Sequence, residues 1–206
     1  MTELELSPLQ LDALREVGNV GAGNAATALG QVINKTVSIN IPQIKILNIE
    51  NLEDTEFFKG PQEISIAICS RILGTIRGGA LVLFSKKSSL LLSDALMQRK
   101  AGSTELLTLV ELSALSETAY ILCSAYLDSV GMMLNHRLLI PSAPQTAIDK
   151  INTLNKVLIK RFLGEDIKYI FSIENLMIID GLKMNLFVAF LLEYESVKKI
   201  LEMLGL

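Results

Sequence analysis

Three polar residues at helical spacing stand out in an apolar and glycine-rich stretch, Leu11–Asn24, with the sequence LDALREVGNVGAGN. They are Asp12, Glu16 and Asn19, and residues three or four apart on a helix share a face. A carboxylate and a carboxamide then project side by side, with Asp12 one turn behind Glu16. Gly18 and Gly21 flank Asn19 and keep its surroundings slim. Such a face could reach into another protein's cleft. A Glu and an Asn three apart on a helix are more often plain solvent-facing residues, so the pair needs supporting context.

The rest of the chain lacks the usual machinery of a self-contained enzyme. His136 is the single histidine and lies far from Asn19 in sequence, which gives a histidine-based triad little support. No H-x-x-x-H, C-x-x-C or phosphate-binding P-loop pattern occurs, so no metal site is expected. The run Gly21–Ala26 fits a loose G-x-G-x-x-A dinucleotide fingerprint. That fingerprint needs a strand before it, whereas here a helix has already begun at Ser7-Pro8. Cys69 and Cys123 sit in apolar surroundings and read as buried thiols compatible with a reducing cytosol.

Composition narrows the class further. The 206 residues are half hydrophobic, enough for one sizeable core, and 19 basic against 22 acidic side chains leave little net charge. No Lys/Arg cluster suits nucleic acid or an anionic membrane surface. The acidic N-terminus is unlike a secretory signal. The apolar run Leu186–Leu192 is far short of the roughly 20 residues that span a bilayer. A cytoplasmic protein with neither nucleic-acid nor membrane partners is expected.

The elements that must carry these residues can be read in order. Ser7 as N-cap and Pro8 at the first helical position open a helix. Leu11, Leu14, Val17 and Val20 give it an apolar stripe, and Asn34-Lys35 close it after about Val32. Its four interior glycines, Gly18, Gly21, Gly23 and Gly30, each cost about 1 kcal/mol relative to alanine. That cost asks for close packing or close approach. Access for a partner is favoured at Gly18 and Gly21, and the choice is open at Gly23 and Gly30. Strands follow at 36–41 and 44–49, separated by Pro42-Gln43, then at 65–72 and 75–85 with a turn at Leu73-Gly74. A short helix at 90–97 ends the first half, and a charged loop runs through Gly102.

A second long helix spans 105 to about 134. Shifted by 101 residues, Leu14 meets Leu115, Glu16 meets Glu117, Gly30 meets Gly131 and Asn34 meets Asn135 without a gap. This reads as an internal duplication. Strands near 137–140, 156–162, 166–173 and 185–193 and a closing helix at 195–204 complete it. The expected fold is α+β: one internally duplicated, pseudo-two-fold domain with half-repeats of about 6–100 and 105–206. Short turns between strands favour a mostly antiparallel sheet.

The order Asp12-x-x-x-Glu16-x-x-Asn19, then 22 intervening residues and Pro42, resembles the signature of the CheC/CheX/FliY family of CheY-P phosphatases in chemotaxis. The run Arg15–Ala28 likewise resembles a CheC first helix. The resemblance implies two long helices side by side on one face of a continuous sheet. It implies a substrate, the phosphoaspartate of the response regulator CheY, whose receiver domain supplies the phosphoryl group, a Mg²⁺ and a lysine. The protein then needs no cofactor of its own. Asn19 would hold the attacking water, Glu16 would pair with the receiver's lysine, and Asp12, Gly18 and Gly21 would belong to the contact face. The implied outcome is signal termination or adaptation.

The second helix carries Ser113-x-x-x-Glu117, but Tyr120 stands where Asn19 would recur, and Ala143 aligns with Pro42 between Pro141 and Pro144. That second site is expected to be inactive. The deamidase CheD is a further candidate partner by resemblance, and a monomer is expected because two half-repeats share one chain. The alternative is a non-catalytic module of the same fold that binds phosphorylated CheY or serves the flagellar switch. An intact Glu16/Asn19 pair argues against it, and chain length favours CheC over FliY.

Overall fold

The computed structural model describes residues 6–39, 43–48, 64–135, 139–150, 169–179 and 184–206. Helix α1 runs Pro8–Ile33. Its N-terminus is a capping box: the Ser7 hydroxyl accepts from the Gln10 N–H, and the Gln10 side chain accepts from the Ser7 N–H at 3.0 Å. Asn34 closes it in the left-handed conformation (φ 51°), and the Asn34 and Lys35 N–H groups donate to the Gly30 carbonyl. The turn is tight. A Cβ on Gly30 would stand 2.9 Å from the Lys35 carbonyl oxygen, which gives that glycine a packing reason.

Strands β1 (Val37–Ile39), β2 (Gln43–Asn48), β3 (Ile64–Gly74) and β4 (Gly78–Ser85) follow, then helix α2 (Lys86–Leu96). The same order recurs with α3 (Leu109–Met133), β5 (Leu139–Pro141), β6 (Gln145–Lys150), β7 (Tyr169–Ile179), β8 (Met184–Glu193) and α4 (Tyr194–Met203). The capping box recurs too: Thr108 and Glu111 open α3 as Ser7 and Gln10 open α1. Asn135 repeats the left-handed residue of Asn34.

Among the described residues all the strand pairs are antiparallel, in a sheet ordered β1-β7-β8-β4-β3-β5, with β2 also on β7 and β6 also on β3. The edge strands cross over. β1 and β2 pair with β7, while β5 and β6 pair with β3. One face of the central strands (Ile66, Ile68, Val82, Phe84, Val188, Phe190) packs beneath α1 and α3 in a single apolar core. The α+β, mostly antiparallel architecture is the one the sequence implies.

Several boundaries differ from expectation, each for a local reason. Helix α2 begins four residues earlier than position 90, because Ser85 caps it by accepting from the Ser88 N–H at 3.0 Å. Helix α3 begins later than 105, because the Thr108 cap fixes its start. The β3–β4 turn sits at 75–77 rather than at Leu73-Gly74. Strand β6 was not expected, since its half-exposed sequence has little apolar alternation; its place comes from pairing along β3. Pro42, His136 and the segment 156–162 lie outside the described residues.

Candidate functional site

Helix α1 is held by one face. Leu14, Val17, Gly18, Gly21, Ala22, Ala25, Ala26, Leu29 and Ile33 are buried, the spacing of a helical stripe. The opposite face carries Asp12, Glu16 and Asn19, all exposed. They stand together as their spacing requires. Among the described residues, neither Glu16 nor Asn19 has a side-chain partner. Asp12 accepts a hydrogen bond from Arg15 Nη1 at 2.8 Å, an exposed ion pair on the same helix. The face therefore presents one free carboxylate and one free carboxamide on a rigid, doubly capped carrier.

The glycines divide differently from expectation. Gly18 and Gly21 are buried, so neither presents bare backbone to a partner. Gly21 faces the second long helix, and a Cβ there would lie 2.6 Å from ring atoms of Tyr126. That ring is stacked on Phe190 with centroids 3.7 Å apart, so it has nowhere to move. The cost of this glycine is offset by close helix packing, not by access. Gly23 is the reverse: half-exposed, with nothing among the described residues within 4 Å of a Cβ built on it.

On α3, Ser113 and Glu117 are exposed and Tyr120 is half-buried. The residue between them, Ser116, shares a 2.7 Å hydroxyl contact with Thr146 of β6. This face offers a carboxylate but no carboxamide. Among the described residues, no group of three or more His, Cys, Asp or Glu side chains could hold a metal ion, and no helix is long and apolar enough to cross a membrane. Cys69 and Cys123 are buried free thiols, each pushed up to about 12 chiefly by that burial. Unreactive core packing is their role.

Residues 9–46, which contain the whole Asp12–Asn19 face, match the CheC-like family. The CheY-P phosphatase CheC of Bacillus subtilis is 29% identical over 147 residues, 68% of this chain and 66% of that protein. The crystal structure of Thermotoga maritima FliY superposes with a TM-score of 0.77 at 21% identity, over 97% of this chain and 98% of that one. The FliM middle domain from H. pylori gives a TM-score of 0.62 at 13% identity, over 96% and 99% of the two chains, and so shares the fold. The chain is thus similar to CheC-like proteins in its first helix and along most of its sequence, and it shares its fold with FliY and the FliM middle domain.

Proposed function

We propose that this chain speeds the loss of phosphate from a phosphorylated CheY receiver, using the Glu16–Asn19 face of α1. The observation that carries the reading is a pair of exposed functional groups, without partners among the described residues, on a helix whose other face is locked into the core. Groups fixed on a stiff element suit chemistry performed on a partner, because their geometry is set before docking. Phosphoryl transfer rewards that economy, since it depends mainly on in-line positioning and charge stabilisation.

Water attacks the phosphorus in line, the bond to the receiver's aspartyl oxygen breaks, and inorganic phosphate leaves a free carboxylate behind. Asn19 accepts a hydrogen bond from that water through its carboxamide oxygen. A neutral amide suits the place, because a carboxylate would be repelled by the phosphoryl oxygens. Glu16 pairs with the receiver's lysine and sets the register of the docked helix. Asp12 adds a secondary contact. Its exposed pair with Arg15, of a kind worth about 0.2–0.5 kcal/mol, is readily exchanged. Any Mg²⁺ in the reaction is held by the receiver. On α3, Tyr120 supplies no equivalent carboxamide, and Glu117 is a solvated helix residue.

The test measures phosphate loss from purified phosphorylated CheY with Mg²⁺, alone and with each variant. Asn19→Ala is expected to lower the acceleration by about 10²-fold or more, the scale of one lost positioning group. Glu16→Ala is expected to weaken docking, and Glu117→Ala to behave as wild type. The fold shared with the FliM middle domain is equally compatible with a second reading, a docking module without catalysis. Wild-type binding with unchanged phosphate loss would replace the phosphatase reading with that one.

A further inference from the structure

Gly23 lies one turn beyond Asn19 on the same face of α1, and no neighbour among the described residues requires it to be glycine. Gly21 must clear the Tyr126 ring and Gly30 the Lys35 carbonyl, whereas a Cβ on Gly23 would meet nothing within 4 Å. Gly23 is helical and is not among the positive-φ glycines, so backbone conformation does not demand it either. Glycine in a helix interior is nonetheless worse than any residue but proline.

Position matters here. Helical side chains lean toward the N-terminus, so each covers the turn before its own Cα. A side chain at position 23 would lie over the turn that carries Asn19. The neighbouring side chains are folded back on their own helix: Asn24 Nδ2 donates to the Val20 carbonyl at 2.9 Å, and Thr27 Oγ1 donates to the Gly23 carbonyl at 2.9 Å. At the matching position of α3 stands Ser124, on the helix where Tyr120 replaces the carboxamide. The helix with the carboxamide keeps bare backbone beside it, and the helix without it does not.

We infer that Gly23 is a positioning residue, the bare spot on which the main chain of the phosphorylated receiver seats while Asn19 reaches the phosphoryl group. This inference rests on the phosphatase reading of Glu16 and Asn19. Its effect is steric: filling the spot should keep the receiver away without harming the fold.

Wild type, Gly23→Ala and Gly23→Leu are compared for melting temperature and for phosphate release across a range of phosphorylated CheY concentrations. Both variants are expected to melt at or above the wild-type temperature, because alanine and leucine are better helix formers in open space. Their kcat/KM is expected to fall, about threefold for alanine and tenfold or more for leucine on steric grounds, mainly through KM. Wild-type kcat/KM in Gly23→Leu, beside an active wild type, overturns the inference and leaves the phosphatase reading standing. A lowered melting temperature in Gly23→Ala also overturns it, since position 23 would then be packed. If the wild type neither accelerates phosphate loss nor binds, both the phosphatase reading and this inference fall.

Discussion

Glycine at position 21 and tyrosine at position 126 are one fact seen from two helices. Tyr126 is buried, is stacked on Phe190 at an interplanar angle of 20°, and fills the space that a missing side chain on α1 leaves free. Adding a methyl group there forces the ring or the helix aside, so Gly21→Ala should cost about 1–3 kcal/mol, as overpacking does. Among the described residues the buried Tyr126 hydroxyl has no hydrogen-bond partner, and burial pushes its pKa up. Leaving such a group unpaired costs about 1–3 kcal/mol, so Tyr126→Phe should be neutral or stabilising. Denaturant melts of the two variants check both signs. An opposite order would mean that the hydroxyl is satisfied and the ring mobile.

At the scale of elements, two carboxylates organise the junction between α2 and α3. Asp94 accepts from the N–H groups of Gly102, Ser103 and Thr104 and from the hydroxyls of Ser103 and Thr104. Desolvation opposes its ionised form, but these hydrogen bonds outweigh it and hold its pKa below the ordinary value. Glu111 accepts from the Thr108 hydroxyl and N–H and from Arg99 Nη1 at 2.8 Å. Those bonds, the Thr108 hydroxyl first, lower its pKa to about 2. A folded-state value below the unfolded one means that the unfolded chain binds more protons in the window between them. The stabilisation is therefore complete above about pH 4.5, the unperturbed value, and is lost as pH falls toward about 2. Glu111→Gln is expected to lower the melting temperature at pH 7 and to flatten its decline between those two pH values. An unchanged acid profile in that variant would assign the loss to other groups.

At the scale of the molecule, the two halves are interlaced. Each lends its short edge strands to the other's long strand, β1 and β2 to β7, β5 and β6 to β3. The central β4–β8 pairing joins them again. A fragment of residues 1–103 would keep β3 and β4 but lose the strands that flank both, leaving open edges on an uncovered core. Such a fragment is expected to lack a cooperative thermal transition alone and to regain one when mixed with residues 104–206. Cooperative melting of a monomeric 1–103 fragment would show that the crossing strands contribute little.

Spacing alone was enough to place Asp12, Glu16 and Asn19 on one helical face, because a helix fixes which residues share a side wherever it packs. The Ser7-Pro8 start and the Asn34 close were legible for the same reason: caps are local. The helix starts at Lys86 and Leu109 required the Ser85 and Thr108 caps to be recognised among several polar candidates. Strand β6 was hidden, since an edge strand with few apolar residues gains its place from its partner. The exchange of edge strands between halves, and the division of labour among the glycines, needed the tertiary structure. Gly18, Gly21 and Gly23 look alike along the chain. Only the arrival of α3, with its Tyr126 ring, makes Gly21 a packing residue and leaves Gly23 open beside Asn19. What a missing side chain is for depends on what comes to occupy the space, and the occupant here is about a hundred residues away in sequence.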